Sequence, residues 1–342
     1  MVKKLKILFF SIGILLFAFL IYKIGLDNIY GNLLLMGYKF PIIFIPFILV
    51  SFLDTLGWQF SFNHWLEGIK LKYIFPVRWA GEAINVLTPT AYVGGEPVKA
   101  YILRRYDVPL QDGLASVVVG KTVMTMAQVV FLICGIVAAT NYFSPNSYLI
   151  LTVSIAVVTS IPLVYGFFAW QKKGLFTSIS NLLHRFNFKF DFLIKNKEKI
   201  ESLDGKIRYF YRYRKKRFYL SLMYYFLAWM AGLLEVYTIL FLMGYEITFL
   251  QALTIESIVQ LVKSCSFFIP GSLGVVEGGG ILIFTSLGLS AEVGMAYSIF
   301  RRLRELIWAG MGLVILMLYG WNKNNVNMEE IKGAEGLPLA EQ

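Results

Sequence analysis

Several charged side chains lie inside apolar segments of this sequence, where a bare charge is costly. Two sets each occupy one helical face by their spacing: Glu256, Gln260 and Lys263 in one segment, and Arg301, Arg304 and Glu305 in the last. A charge near the centre of a bilayer costs at least about 2.5–3.5 kcal/mol, so such residues normally face the protein interior and pair. These residues are therefore the first candidates for a functional site.

The arginines are compatible with two kinds of chemistry. One is structural ion pairing, with Arg302 paired separately from Arg301, and the acids available for it are Glu96, Glu235, Glu277 and Glu305. The other is the binding of an anionic group, such as a lipid phosphate, through bidentate hydrogen bonds. Further polar residues in apolar segments are candidates for the same cavity, although each alone is typical of a structural residue: Asp54, Lys121 and Gln128.

Two segments broken by proline and glycine resemble each other. In each, a glutamate follows a proline at the same spacing: Glu96 after Pro89, and Glu277 after Pro270. The glycines of the breaks are Gly94 and Gly95 in the first, and Gly271 and Gly274 in the second. Polar residues precede both breaks, namely Glu82 and Asn85 in one case and the set Glu256, Gln260 and Lys263 in the other.

Paired interruptions of this kind indicate a binding site between internal repeats of a membrane protein. Irregular backbone at membrane depth persists only where it is buried in protein or lines a wet cavity. The competing interpretation is that proline and glycine are common in membrane helices and that the match is coincidental.

The elements that must position these residues are membrane helices. Of the 342 residues, 57% are hydrophobic and 15% are charged, and the mean hydropathy is +0.64, whereas a soluble domain has about a quarter of its residues charged. The apolar segments predict an all-α integral membrane protein, a bundle of about eight transmembrane helices with the two broken, re-entrant or short-crossing segments in two pseudo-repeat halves. We expect residues 1–321 to form one membrane domain and the tail 322–342 to be disordered.

Some boundaries in this reading depend on charge and length. The apolar stretch 79–87 is too short to span, so Lys70, Lys72 and Arg78 are assigned to the cytoplasmic end of the span before it. The segment 270–289 is expected to be a short crossing, which leaves the C-terminus in the cytoplasm. Residues 7–22 are expected to be a retained first span with a cytoplasmic N-terminus, because no cleavage pattern follows.

Positive charge is concentrated in one central segment. Residues 171–217 contain fourteen Lys and Arg against four Asp and Glu, a net charge of about +10. The positive-inside rule places this basic loop in the cytoplasm of a cell-membrane protein. The same charge would attract anionic lipid headgroups.

Several function classes lack their signatures. The residues Gly120, Lys121 and Thr122 lack the first glycine and the preceding strand of a phosphate-binding loop, so ATP-driven transport is unsupported. No nucleophile elbow or paired zinc histidines occur. We therefore expect no catalytic residues, metal, cofactor or nucleic-acid partner, and no enzymatic activity.

The two breaks carry a resemblance to a known family. Residues 88–105 resemble the Gly-Gly-(Glu/Asp)-x-x-(Arg/Lys)-Ala motif of the lysylphosphatidylglycerol synthase transmembrane, flippase-like family, and residues 270–277 resemble its Pro-Gly-Gly-x-Gly-x-x-Glu motif. The resemblance implies a helical bundle with re-entrant elements that moves or handles lipids. By motif position, it implies a site made of Gly94, Gly95, Glu96 and Lys99 with Pro270, Gly271, Gly274 and Glu277.

The sequence departs from the family pattern at Ser272, where a glycine is usual, and at Lys99, where arginine is common. The aminoacyltransferase domain of the fused members is absent, so synthesis of a lysyl-lipid is not implied. We expect a stand-alone lipid translocase that is not driven by ATP and that handles an anionic, polyprenyl or glycolipid headgroup. Its headgroup site would comprise Glu96, Lys99, Glu277, Arg301 and Arg304.

The alternative is a non-transporting partner or regulator of a lipid- or glycan-modifying enzyme. The expected partners are membrane lipids with anionic headgroups, and the reading leaves open a homodimer or a lipid-biosynthesis enzyme as a protein partner.

Overall fold

The fold of the described chain is entirely helical. A computed structural model describes residues 36–63, 70–88, 94–143, 147–185, 197–266, 272 and 274–321. Within these ranges there are eleven α-helices and no strand, which confirms the predicted all-α class. The helices are α1 Phe44–Gln59, α2 Leu71–Leu87, α3 Gly95–Leu103, α4 Leu110–Ala139, α5 Tyr148–Lys173, α6 Leu175–Arg185, α7 Lys197–Tyr213, α8 Lys215–Leu242, α9 Phe249–Cys265, α10 Val275–Ser286 and α11 Ala291–Trp321. One 3-10 turn, Gly37–Ile43, precedes α1 and another, Arg104–Tyr106, follows α3.

Four segments of the described chain are long and apolar enough to cross a membrane. They are Gly37–Gln59, Leu110–Ala139, Ile150–Lys173 and Lys215–Leu242. The 31 residues of α11 also exceed the length of a span, but this helix carries the cluster of charges around Arg301. The predicted total of about eight spans stays a prediction, and the first predicted span and the C-terminal tail lie outside the described residues.

Helices α2 and α3 form an antiparallel hairpin. The Gly95 N–H donates to Asn85 Oδ1 at 2.7 Å near the tip, Lys99 reaches Glu82 midway, and the rings of Tyr73 and Tyr106 lie 5.3 Å apart at the open end. Thr88 ends α2 with an extended backbone, as expected for a residue that precedes proline. At 1.5 Å per residue, α3 is about 14 Å long, too short to cross about 30 Å of hydrocarbon. The hairpin is therefore re-entrant.

The beginning of α2 corrects one boundary of the sequence reading. The helix starts at Leu71 rather than near residue 79, and Arg78 is buried inside the bundle instead of lying at a cytoplasmic end. The reason is an ion pair, because Arg78 Nη2 lies 2.6 Å from Asp54 Oδ2 of α1. A neutralised arginine can be packed between helices where a lone one cannot.

Helices α9 and α10 form the second hairpin. Contacts of α9 with α11 advance together along both chains, from Glu256–Arg301 to Lys263–Glu305, so these two helices are parallel. Contacts of α10 with α11 run oppositely, from Glu277–Arg302 to Gly280–Gly294, so α10 is antiparallel to α11 and hence to α9. The segment after Pro270 thus turns back along α9 and is re-entrant, which replaces the short crossing favoured from the sequence.

The ends of this second hairpin are specified locally. A capping box starts α9, in which the Gln251 N–H donates to Thr248 Oγ1 and the Thr248 N–H donates to Gln251 Oε1. At the other side of the break, Gly274 has a φ of +80°, and its N–H donates to Glu277 Oε2 at 2.8 Å. A positive φ favours glycine, so the turn into α10 depends on this residue.

Helices α1 and α8 pack against each other antiparallel at the centre of the molecule. The end of α1 meets the start of α8, where Arg217 donates to the Gln59 carbonyl and Ser221 donates to the Gly57 carbonyl. At the opposite end, Ile43 shares an apolar cluster with Leu240. Since hairpin α2–α3 follows α1 and hairpin α9–α10 follows α8, the two hairpins enter the bundle from opposite ends.

The same order of helices occurs twice in the chain. Helices α1–α4 correspond to α8–α11, and α4 begins at Leu110 while α11 begins at Ala291, 181 residues later. Helices α2 and α9 both contain 17 residues. With the antiparallel packing of α1 on α8, this order is that of an inverted repeat.

The basic segment between the repeats is mostly helical rather than an extended loop. It contains α6 and α7, and the fully buried Asp204 of α7 accepts hydrogen bonds from the Phe176 and Thr177 N–H groups at the start of α6. Tyr211 of α7 donates to Gln171 Oε1 at 2.9 Å, and burial raises the pKa of its phenol. The segment is thus fastened to the bundle by buried hydrogen bonds.

Candidate functional site

The first charge cluster lies where α1 and α4 pack around hairpin α2–α3. Lys99 Nζ donates to Glu82 Oε1 at 2.8 Å and to Glu96 Oε1 at 3.0 Å. The Asp54–Arg78 pair lies beside them, and Lys121 of α4 approaches Glu96 Oε1 to 4.0 Å. We call these six residues the first cluster: Asp54, Arg78, Glu82, Glu96, Lys99 and Lys121.

Small residues bring the hairpin tip close enough to form this cluster. A Cβ atom at Gly95 would lie 1.9 Å from the Gly81 carbonyl oxygen, and one at Gly81 would lie 2.3 Å from Lys99 Cγ. Asn85 then ties the tip down, because its amide accepts from the Gly95 N–H and donates to Glu96 Oε1 at 3.1 Å. Glycine at both positions is therefore a packing requirement.

A narrow cavity opens beside the first cluster. Its volume is about 10 Å³, which is room for about one water molecule. Two of its charged groups are partly exposed, with 31% of the Lys121 side chain and 25% of the Glu82 side chain accessible. The lining residues are Trp58, Arg78, Glu82, Glu96, Lys99, Val117, Lys121, Met124 and Tyr225.

The second charge cluster joins α8, α9, α10 and α11. Arg301 forms a bidentate pair with Glu256, at 2.7 and 3.2 Å, and also donates to the Tyr297 hydroxyl. Arg304 forms a bidentate pair with Glu235, at 2.7 and 3.2 Å. Both guanidinium groups are buried, and their donors are directed at protein carboxylates.

The outer part of the second cluster surrounds the tip of hairpin α9–α10. Arg302 Nη2 donates to Glu277 Oε1 at 3.0 Å, and its Nη1 lies 3.4 Å from Glu305 Oε2. Lys263 donates to the other oxygen of Glu305. The members of the second cluster are Glu235, Glu256, Gln260, Lys263, Glu277, Arg301, Arg302, Arg304 and Glu305.

Charged residues of the two clusters occupy equivalent positions of the repeat. Three pairs are each separated by 181 residues: Asp54 and Glu235, Glu96 and Glu277, and Lys121 and Arg302. Lys121 faces Glu96 as Arg302 faces Glu277. The first of these ion pairs is loose, at 4.0 Å, and the second is closed, at 3.0 Å.

The two hairpin tips approach the middle of the same helix. Glu96 of the first tip faces Lys121 of α4, and Ser264 next to the second tip accepts from Gln128 Nε2 at 2.8 Å. Lys121 and Gln128 lie two turns apart on one face of α4, about 10 Å along its axis. The equivalent crossing of α2 with α11 is apolar and closed, with the indoles of Trp79 and Trp308 stacked at 3.8 Å.

Comparison with known families agrees with this architecture. The family described as the lysylphosphatidylglycerol synthase TM region matches residues 5–312. The chain belongs to this family. A relative within it is a UPF0104 membrane protein of Pyrococcus horikoshii, 25% identical over 87% of this chain and 92% of the relative.

Two further relatives extend the family among archaea. A UPF0104 membrane protein of Methanothermobacter thermautotrophicus is 24% identical over 86% of this chain and 89% of its own. One of Methanocaldococcus jannaschii is 26% identical over 83% of this chain and 85% of its own. No solved structure matches the chain.

The structure distributes the predicted site of this family member over two places. Glu96, Lys99, Glu82 and Asn85 come together in the first cluster, and Gly94 and Gly95 start α3 beside them. Glu277, Arg301, Arg304, Glu256, Gln260, Lys263 and Glu305 come together in the second cluster, and Gly274 starts α10. Pro89, Pro270 and Gly271 lie outside the described residues.

The structure also adds residues that sequence reasoning did not place in the site. Arg78 was assigned to a helix end, and Trp58 and Tyr225 were not distinguished from other aromatic residues, yet all three line the cavity. For Arg78 a usable signal was its spacing from Glu82, which puts both on one face of α2. The two aromatic residues carry no such signal, because only the packing of α1 on α8 brings them to the cavity.

Proposed function

We propose that this membrane protein translocates lipids between the two leaflets without ATP. The observation that supports this most is that two re-entrant hairpins, entering from opposite ends, bring polar groups to the middle of α4. Broken helices from inverted repeats that meet near the midplane are the arrangement of binding sites in many transporters. The headgroup we propose is anionic, polyprenyl-linked or glycosylated, and its tails would remain in the bilayer.

Movement of the hairpin tips is part of this proposal. The cavity beside the first cluster has a volume of about 10 Å³, so a headgroup can enter only when the tips separate. The crossing of α4 with α9 contains the single hydrogen bond from Gln128 to Ser264, whereas the crossing of α2 with α11 contains the stacked tryptophans. We expect the polar crossing to open first, because it has less apolar contact to lose.

A reconstitution experiment tests the proposal. Purified protein would be placed in liposomes with acyl-labelled phospholipid, and the fraction of label accessible to a membrane-impermeant quencher would be followed over time. We expect the wild-type protein to accelerate exchange between leaflets and Glu96→Gln to lower the rate about tenfold, a barrier change of about 1.4 kcal/mol. Glu96→Gln weakens the contact with Lys99 at the tip without changing side-chain size.

The matched control is Glu201→Gln, since Glu201 is exposed on α7 far along the chain from the clusters. Its rate should equal that of the wild type. A folded wild-type protein that exchanges lipids no faster than protein-free liposomes would overturn the proposal. The alternative of a non-transporting partner would then predict co-purification with a lipid- or glycan-modifying enzyme.

A further inference from the structure

Lys121 differs from the other cations of the two clusters. Each of the four arginines is 2–9% exposed and lies within 3.0 Å of a carboxylate oxygen. Lys121 is 31% exposed, its nearest acid is Glu96 at 4.0 Å, and within the described ranges no acceptor lies at hydrogen-bond distance from it. Its ammonium therefore has donors to offer to a ligand, whereas the arginines that the sequence favoured are committed to protein acids.

Glu82 presents the complementary group in the same cavity. One oxygen of its carboxylate accepts from Lys99 at 2.8 Å, and the other has no donor among the residues that the structure describes. A quarter of its side chain is exposed. The cavity thus offers a cation with free donors and a carboxylate oxygen with free acceptor capacity.

The charge of the first cluster limits what can be bound there. Asp54, Glu82 and Glu96 carry three negative charges, and Arg78, Lys99 and Lys121 carry three positive charges, so the cluster is neutral. A headgroup with only negative charge would leave an uncompensated charge at membrane depth, which is unfavourable. A headgroup that pairs a phosphate with a donor satisfies both exposed groups.

We infer that Lys121 binds the phosphate of a phospholipid headgroup while Glu82 accepts a hydrogen bond from an amine or hydroxyl of the same headgroup. Lysine is a common phosphate ligand, and a carboxylate forms charge-assisted bonds with N–H and O–H donors. The substrate class is therefore a phosphodiester lipid whose headgroup carries an amine or a hydroxyl. This inference rests on the proposed translocation and names the ligands for it.

The test compares three acyl-labelled lipids in the liposome assay. Phosphatidylethanolamine has amine donors, phosphatidylglycerol has hydroxyl donors, and phosphatidylcholine has a phosphate but no headgroup donor. We expect the wild-type protein to move at least one of the first two about tenfold faster than phosphatidylcholine. The faster of the two identifies an amine or a hydroxyl as the preferred donor.

Substitutions assign the two groups separately. Lys121→Met should lower the rates of all three lipids about tenfold, and Lys121→Arg should restore most of the loss, because arginine keeps the positive charge and the donors. Glu82→Leu should remove the preference over phosphatidylcholine. The control Lys216→Met changes an exposed residue in the first turn of α8 and should alter nothing.

Binding measured by native mass spectrometry of the detergent-purified protein gives a readout that does not depend on transport. Wild-type protein should retain the donor-bearing lipids more than phosphatidylcholine, and Lys121→Met should retain all three less. Unchanged binding and transport in Lys121→Met, or equal handling of all three lipids by the wild type, would overturn this inference alone. A wild-type protein that binds these lipids selectively but moves none would instead overturn the proposed translocation.

Discussion

At the scale of single residues, the buried arginines act mainly on stability. Arg304 and Glu235 are each only 2% exposed in their side chains, and the guanidinium carbon of Arg304 lies 3.6 Å from the centre of the Phe47 ring. Taking two charges out of water is costly, and removing one partner leaves the other buried without compensation. The pair therefore tolerates joint replacement better than single replacement.

This argument predicts a measurable non-additivity. Arg304→Met should lower the free energy of unfolding by about 3–5 kcal/mol, and adding Glu235→Leu should recover more than half of that loss. Thermal unfolding of the detergent-purified variants would measure both changes. Lys197→Met, which breaks an exposed ion pair with Glu201, serves as the control and should leave the unfolding temperature unchanged. Additive losses in the double variant would contradict this account.

At the scale of elements, the α2–α3 hairpin depends on glycine at its closest approach. Gly95→Ala would place a Cβ atom 1.9 Å from the Gly81 carbonyl oxygen, so the two helices must move apart. Overpacking of this kind costs about 1–3 kcal/mol. We expect a lower unfolding temperature and slower lipid exchange, since Glu96 and Lys99 are carried on the displaced helix.

The matched substitution is Gly278→Ala in the other hairpin, where a Cβ atom would have no heavy atom within 4 Å. It should leave unfolding temperature and exchange rate near the wild-type values, because alanine is the better helix former. Equal effects of the two substitutions would show that close packing of the first hairpin is not what matters.

The hairpins also show what sequence reasoning can and cannot reach. Proline and glycine act on the backbone next to them, so Pro89 and Pro270 predicted both breaks from local chemistry. Arg78 was misplaced because the residue that neutralises it, Asp54, lies on another helix. The partners of Arg301 and Arg304 were likewise undetermined, because several acids on different helices were available. Local breaks are readable from a sequence, whereas pairings across helices depend on how those helices pack.

At the scale of the whole molecule, the antiparallel α1–α8 pair predicts opposite orientations for the two halves. Lys72 at the start of α2 and Glu246 before α9 are both exposed and lie at the open ends of the two hairpins. In a chain in which Cys134 and Cys265 are replaced by alanine, Lys72→Cys and Glu246→Cys should react with impermeant maleimide from opposite sides of the membrane. Lys216→Cys should react from the same side as Lys72→Cys, because the start of α8 meets the end of α1.

Labelling of intact and permeabilised cells would distinguish the two sides. By the excess of Lys and Arg in residues 171–217, we expect Lys72→Cys and Lys216→Cys to be cytoplasmic. Labelling of Lys72→Cys and Glu246→Cys from one side would contradict the inverted arrangement itself, whichever side that is.

The α1–α8 contact has a consequence for how such a chain can originate. A protein with only one set of four helices would expose the face that α1 uses here, and a second copy in the opposite orientation would cover it through a twofold axis. Such an ancestor has to insert into the membrane both ways up, which requires a weak bias of Lys and Arg. Once duplication joins the copies, each half can keep one orientation. The strongly basic segment between the halves is then the device by which evolution made that choice permanent.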